Sequence, residues 1–179
     1  ESGKGSIVFD RYTGTQSPTH IIPMMNSQQF IEMMNEAAEN DGLSAGYFST
    51  SGPEWNRIGD PSDPDLINTD WYGEVLRTDA PIENTSLSVR GGGVNLKYFV
   101  NGSHFDQAGV QKGTNYNRLS FRTNLDAKVN DKLVIGTNTF ISKSDAKSTI
   151  GDNSLYGVMI NALAADPTMP VNQEDGSYS

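Results

Sequence analysis

Residues 118–129, RLSFRTNLDAKV, constrain the fold more than any other part of the chain. Leu119, Phe121, Thr123, Leu125, Ala127 and Val129 alternate without a break with Arg118, Ser120, Arg122, Asn124, Asp126 and Lys128. A helix returns to the same side every 3.6 residues and would scatter the two sets around its surface. A strand turns over at each residue and collects them on opposite faces. The segment is therefore a strand with one apolar and one charged face, and such a strand needs neighbours that repeat the contrast.

Those neighbours are legible on both sides. Residues 82–90, IENTSLSVR, put Thr85, Leu87 and Val89 on one face and Asn84, Ser86, Ser88 and Arg90 on the other. Gly91 to Gly93 make a turn, since glycine reaches positive φ without steric cost. Residues 94–105 form the next strand, with Leu96, Tyr98 and Val100 opposing Lys97, Asn101 and Ser103, although Phe99 interrupts the polar face. Asn130-Asp131 turns the chain from the 118–129 strand into a further strand at 133–144. An earlier strand, 6–15, rests on its β-branched and aromatic residues more than on its period. Asn26 and Gln29 signal a helix at 27–40 with Phe30, Met33, Met34 and Ala37 on one face, and Gly42 suits its end. Residues 42–78 and those beyond 145 are loop-like, the latter with a short helix near 155–165.

The connections have an order. Tight turns at 91–93 and 130–131 fall on one end of the strands, while 17–81, 106–117 and the segment after 145 fall on the other. Outer-membrane barrels are built with this asymmetry, short turns inside and long loops outside. Their strands need only about 10 residues with every second one apolar, so a low apolar content does not argue against them. The chain is 35% apolar and has no run near the roughly 18 apolar residues of a membrane helix. Seven Tyr, seven Phe and two Trp set it apart from disordered sequences. The absence of Cys removes thiolate ligands and disulfides. A net charge of −9 argues against nucleic acid as a partner. With polar ESGKG and EDGSYS at its ends and no leader-like apolar core, the chain reads as an excerpt.

The wording of several segments carries a resemblance. NTDW at Asn68 to Trp71, LSVRGG at Leu87 to Gly92, YFVNG at Tyr98 to Gly102, FDQAG at Phe105 to Gly109, RTNLDAKV at Arg122 to Val129 and DPTMPV at Asp166 to Val171 follow one another in order. Together they resemble the start of the barrel in SusC/RagA-like TonB-dependent outer-membrane transporters of Bacteroidetes-type bacteria. The resemblance implies an all-β fragment, about five antiparallel strands with long extracellular loops and a short loop helix, of a large 22-stranded transmembrane β-barrel. Residues 1–5 would end the plug or its linker, and 6–179 would supply the first strands and outer loops. It further implies import of oligosaccharides or peptides, energised by TonB through a segment outside this chain and assisted by a SusD-like surface lipoprotein, with the bacterial outer membrane as location and its lipid as a partner.

In that setting Arg90, Arg118, Arg122, Asn124, Asp126 and Lys128 would face the barrel lumen, and Leu87, Val89, Leu119, Phe121, Leu125 and Val129 would face lipid. Trp55, Trp71 and Tyr72 could stack on sugars or meet a partner protein, against the simpler reading that they pack within a folded loop. Asp60, Asp63 and Asp65, with Asp70, offer oxygen ligands of the kind Ca²⁺ takes, but without EF-hand spacing. A solvated acidic loop is the simpler reading, and no metal or other cofactor is expected. His20 and His104 are far apart with no triad pattern around them, so no catalytic residues are assigned. Two rivals from other classes remain: a secreted or periplasmic β-sandwich that binds glycans, and more distantly a glycoside hydrolase built on paired carboxylates.

Overall fold

The structure, a computed structural model, describes residues 3–42, 61–151, 154–173 and 175–178. It contains five strands, β1 (Gly3–Gln16), β2 (Ala80–Gly92), β3 (Leu96–Ala108), β4 (Asn115–Asn130) and β5 (Leu133–Lys147). Three helices accompany them, α1 (Ser27–Asn40), α2 (Trp71–Val75) and α3 (Val158–Ala164). The chain divides into two units, residues 1–19 with 77–149 and residues 20–76 with 150–179.

The first unit is one antiparallel sheet in sequential order, β1-β2-β3-β4-β5. Each expected strand is present and runs one to three residues further at one or both ends, because cross-strand hydrogen bonding continues past the point where apolar alternation stops. The register is continuous: Leu87 lies opposite Phe9 and Gly102, Gly102 opposite Phe121, and Phe121 opposite Ile141. The glycine turn sits two residues later than its composition suggests. Gly91 and Gly92 are still in β2, and Gly93 N–H donates to Leu96 O at 2.7 Å across the turn itself. Gly92 has φ +155°, and a Cβ there would lie 2.7 Å from Lys97 Cα, so no other residue fits without displacing the hairpin backbone.

The fold class is corrected by this topology. An all-β fragment of a transmembrane β-barrel was expected; the described residues form an open sheet together with three helices. β1 pairs only with β2 and β5 only with β4, and β1 and β5 make no contact with each other. Alternation fixes which side of a strand is apolar, but closure is a property of strand number and shear that no single strand encodes. The sheet also stands alone: among the described residues there is no second sheet to make a sandwich. Among them, too, no helix is long and apolar enough to cross a membrane, which says nothing about strands.

In the second unit α1 begins as its sequence predicts. Asn26 Oδ1 accepts from Gln29 N–H at 2.9 Å while Gln29 Oε1 accepts from Asn26 N–H at 3.1 Å, a reciprocal cap. Its buried stripe is Ser27, Ile31 and Ala38, with Phe30 and Met34 half-buried and Met33 and Ala37 exposed. The expected apolar face is thus rotated by about one residue, because Ile31, which the methionine-weighted reading passed over, is the fully buried side chain. α2 lies inside a stretch that reads as loop. Five residues are too few to display a period, and the signal that was available is Asp70, whose Oδ1 accepts from Gly73 N–H at 3.0 Å.

Candidate functional site

The register assigns every strand residue to one of two faces. On the first lie Ile7 and Phe9 of β1, Leu87 and Val89 of β2, Val100 of β3, Leu119, Phe121 and Leu125 of β4, and Ile135 and Ile141 of β5. Val129 follows in alternation, beside the irregularity between Lys128 and Asn130. This face is open: Ile7 is 72% exposed, Phe9 64%, Leu119 59% and Ile141 63%. Exposed apolar side chains occur on this face in all five strands, and large exposed apolar patches mark interaction sites. Charged residues on it sit toward one end, and two ion pairs form among them, Arg11 Nη2 to Glu83 Oε1 at 2.8 Å and Lys143 Nζ to Asp145 Oδ2 at 4.0 Å.

The second face carries Arg90, Arg118, Arg122, Asn124, Asp126 and Lys128, all six residues that the sequence singles out for a polar wall. Around them the register lines up small hydroxyls and amides. Ser86, Ser103, Ser120 and Ser142 form one row across four strands, with Ser103 and Ser120 hydroxyls 2.6 Å apart. Asn101 Nδ2 donates to Leu87 O at 3.3 Å. Two arginines are held against aromatic rings, Arg118 Cζ 5.8 Å from the centre of Phe105 and Arg122 Cζ 5.2 Å from that of Phe140. Phe105 and Phe140 thus stand on the polar face as neighbours of the two cations, a pairing invisible in any one strand because they lie on the strands flanking β4, while Phe99 interrupts that face as its sequence indicates.

The second unit is organised by two of the segments that carry the resemblance, NTDW and DPTMPV, which meet across nearly a hundred residues. Thr69 N–H donates to Pro167 O at 2.8 Å, Thr69 Oγ1 to Met169 O at 2.6 Å, and Trp71 Nε1 to Asp166 O at 2.9 Å. Asp166 Oδ1 in turn accepts from Thr168 N–H at 2.8 Å and Thr168 Oγ1 at 2.7 Å, fixing the loop that presents these carbonyls. Asn68 Oδ1 accepts from Ser27 N–H at 3.0 Å and Ser27 Oγ at 3.2 Å, tying the first turn of α1 to the same strip of chain. Each residue of NTDW thus has a bonding task. Trp71 is half-buried with its indole N–H engaged, and Tyr72 is 7% exposed in α2. Trp55 and Asp60 lie outside the described residues. Asp63 and Asp65 are exposed, and Asp63 Oδ1 accepts from Asp65 N–H at 2.9 Å, a local turn. No cluster of three potential metal-ligating side chains occurs among the described residues.

Charge is divided between the units in a way the total conceals. The sheet unit has 12 Lys and Arg against 8 Asp and Glu, net +4, whereas the helical unit has Arg57 against 14 Asp and Glu, net −13; together they give the −9 of the whole chain. Asp175 in the helical unit is held below the usual carboxylate range by the Ser177 side chain and then by the Ser177 N–H, both donating to its Oδ1.

Comparison with known proteins agrees with the motifs. The chain is 31% identical to TonB-dependent receptor P26 of Formosa agariphila over 99% of its own length and 16% of the receptor's. It is 32% identical to TonB-dependent receptor P3 of the same organism over 98% of its length and 17% of that protein. With TonB-dependent receptor SusC of Bacteroides thetaiotaomicron it shares 30% identity over 66% of its length and 11% of SusC. Its fold matches part of a RagAB peptide transporter structure with a TM-score of 0.74 at 17% identity, covering 99% of this chain and 22% of that one. The 'open-open' state of the RagAB peptide importer gives a TM-score of 0.70 over the same shares. No protein-family model matches. These relatives are transport receptors, not enzymes, and the chain spans only a small part of their length. The chain is a distant homologue of the SusC/RagA-type TonB-dependent receptors.

Proposed function

We propose that the chain serves, as part of a longer protein, in a TonB-energised outer-membrane receptor that takes up oligosaccharides or peptides. Similarity over 98–99% of the chain to two TonB-dependent receptors carries the reading. The two-faced sheet supports it. Leu87, Val89, Leu119, Phe121, Leu125 and Val129 face lipid, which accounts for apolar surface that water would not tolerate. Arg90, Arg118, Arg122, Asn124, Asp126 and Lys128 face the aqueous path of the solute. The unit clamped by NTDW and DPTMPV lies on the outer side, where a SusD-like lipoprotein meets the receptor, and TonB engages a segment outside this chain. The residues here do no covalent chemistry; they bind, orient and line. Uptake of labelled oligosaccharides and peptides by cells with and without the gene, and with and without TonB, tests the proposal. Loss of uptake in both deletions is expected, and uptake that persists in either overturns it.

A further inference from the structure

We infer that the end of the β3–β4 hairpin, residues 107–115, is a collar, pinned by Arg77, that fastens together the three points at which the chain leaves or re-enters the sheet unit. These points and the hairpin open and close as one element. The inference goes beyond uptake and does not depend on it.

The chain leaves the sheet unit after residue 19, returns at Arg77 and leaves again after residue 149. β1 and β2 are neighbours in the sheet, yet residues 17–79 separate them, with no tight turn to hold their ends. In an ordinary hairpin the turn sets the register. Closing a loop of this length also costs chain entropy that contacts at its base must offset. The pairing nevertheless runs to the last residues, Gln16 opposite Ala80, and Ala80 is fully buried. Something other than a turn holds that end of the sheet.

The hairpin supplies it. Gln16 reaches past β2: its Nε2 donates to Ala108 O at 2.8 Å, and its Oε1 accepts from Gln107 Nε2 at 3.2 Å. The Ser17 hydroxyl donates to Thr78 O, which joins the first exit to the return. Arg77 then bonds to three successive carbonyls of the hairpin. Its Nη1 donates to Gly109 O at 2.8 Å and to Gln111 O at 3.5 Å, and its backbone N–H donates to Val110 O at 2.7 Å. A guanidinium suits the task, since it stays charged and carries several donors in one rigid plane. At the second exit Lys147 lies opposite Asn115, and a Cβ on Gly113 would lie 3.6 Å from Thr149 Cγ2.

Within the hairpin Gly109 N–H donates to Thr114 O at 2.9 Å and Thr114 Oγ1 to Gln111 O at 2.6 Å. A Cβ at residue 109 would collide with Thr114 Oγ1, so the position requires glycine. Gln107, Ala108 and Gly109 of the FDQAG motif thus all serve the collar. Each exit or return meets the same short hairpin, which makes the hairpin their shared partner and a unit of local opening.

Hydrogen exchange on the full-length receptor, read by mass spectrometry in detergent, tests this. Arg77→Met should speed exchange at least about tenfold at 77–79 and 108–115, since hydrogen bonds to charged groups are the stronger class. The same factor, within about threefold, should appear at 14–17 and 146–149, segments that receive no hydrogen bond from Arg77. Amides in the middle of the sheet, at 87–89 and 121–123, should stay within twofold of native. Gln16→Met should reproduce the pattern from the opposite side, including faster exchange at 77–79. If Arg77→Met is not recovered folded, Arg77→Lys, which keeps the charge but not the fork, should give the same distribution at a smaller factor. A rise confined to the segments each side chain touches overturns the inference. So does an equal rise in the middle of the sheet, which would mean that the hairpin opens only with the whole fold.

Discussion

Replacing Asn68 with alanine should loosen the first turn of α1 from the rest of its unit. Ser27 is the first residue of the helix, so its N–H has no partner within the helix and must find one elsewhere. It finds Asn68 Oδ1 at 3.0 Å, and the Ser27 hydroxyl, which donates to Ile67 O at 2.6 Å, lies 3.2 Å from the same oxygen. Ser27 is 1% exposed, so water cannot take over when Asn68 is truncated. The loss of one hydrogen bond that leaves a buried N–H unpaired puts the cost at about 1–3 kcal/mol. That corresponds to a roughly 5- to 150-fold change in an opening equilibrium. Hydrogen exchange of the α1 amides is the direct assay, because local opening is what the substitution eases. Asn68→Asp keeps an oxygen acceptor at the same position and should stay close to the native rate. Exchange within twofold of native in Asn68→Ala, or equal damage from Asn68→Asp, would refute the reasoning.

Gly92→Ala forces a side chain into a φ of +155° and against the β3 backbone, and should destabilise the β2–β3 hairpin by about 1–3 kcal/mol, read as faster exchange of the amides at 96–98. Phe121→Arg, on the apolar face, should lower recovery of the protein from outer-membrane fractions if that face meets lipid, since Arg on the lipid face of a membrane strand costs about 2–4 kcal/mol at the bilayer midplane; Arg122→Gln, one residue away on the other face, should not. Because its folded pKa is lowered, Asp175 contributes stability above the unfolded carboxylate pKa and loses it as pH falls through the lowered value. An NMR titration should find its carboxyl titrating below the usual aspartate range, and Ser177→Ala should raise it.

What could be read from the sequence is what is local. The alternation of residues 118–129 determined a strand and its two faces, Asn26 and Gln29 determined where α1 begins, and the apolar and polar sets on β2 and β4 emerged on the faces their period assigns. Where a signal needed a partner from elsewhere, the sequence was silent or misleading. The buried stripe of α1 depended on what packs on it, and α2 was too short to show a period. That Phe105 and Phe140 stand beside Arg118 and Arg122 was decided by the register between strands. NTDW and DPTMPV could be recognised as wording, but that one donates to the carbonyls of the other is a fact about two loops brought together. Only the tertiary structure decided that the five strands form an open sheet and that charge is divided between +4 and −13 units. Closure and charge segregation are relations among distant segments, and a pattern of period two along one strand carries no information about them.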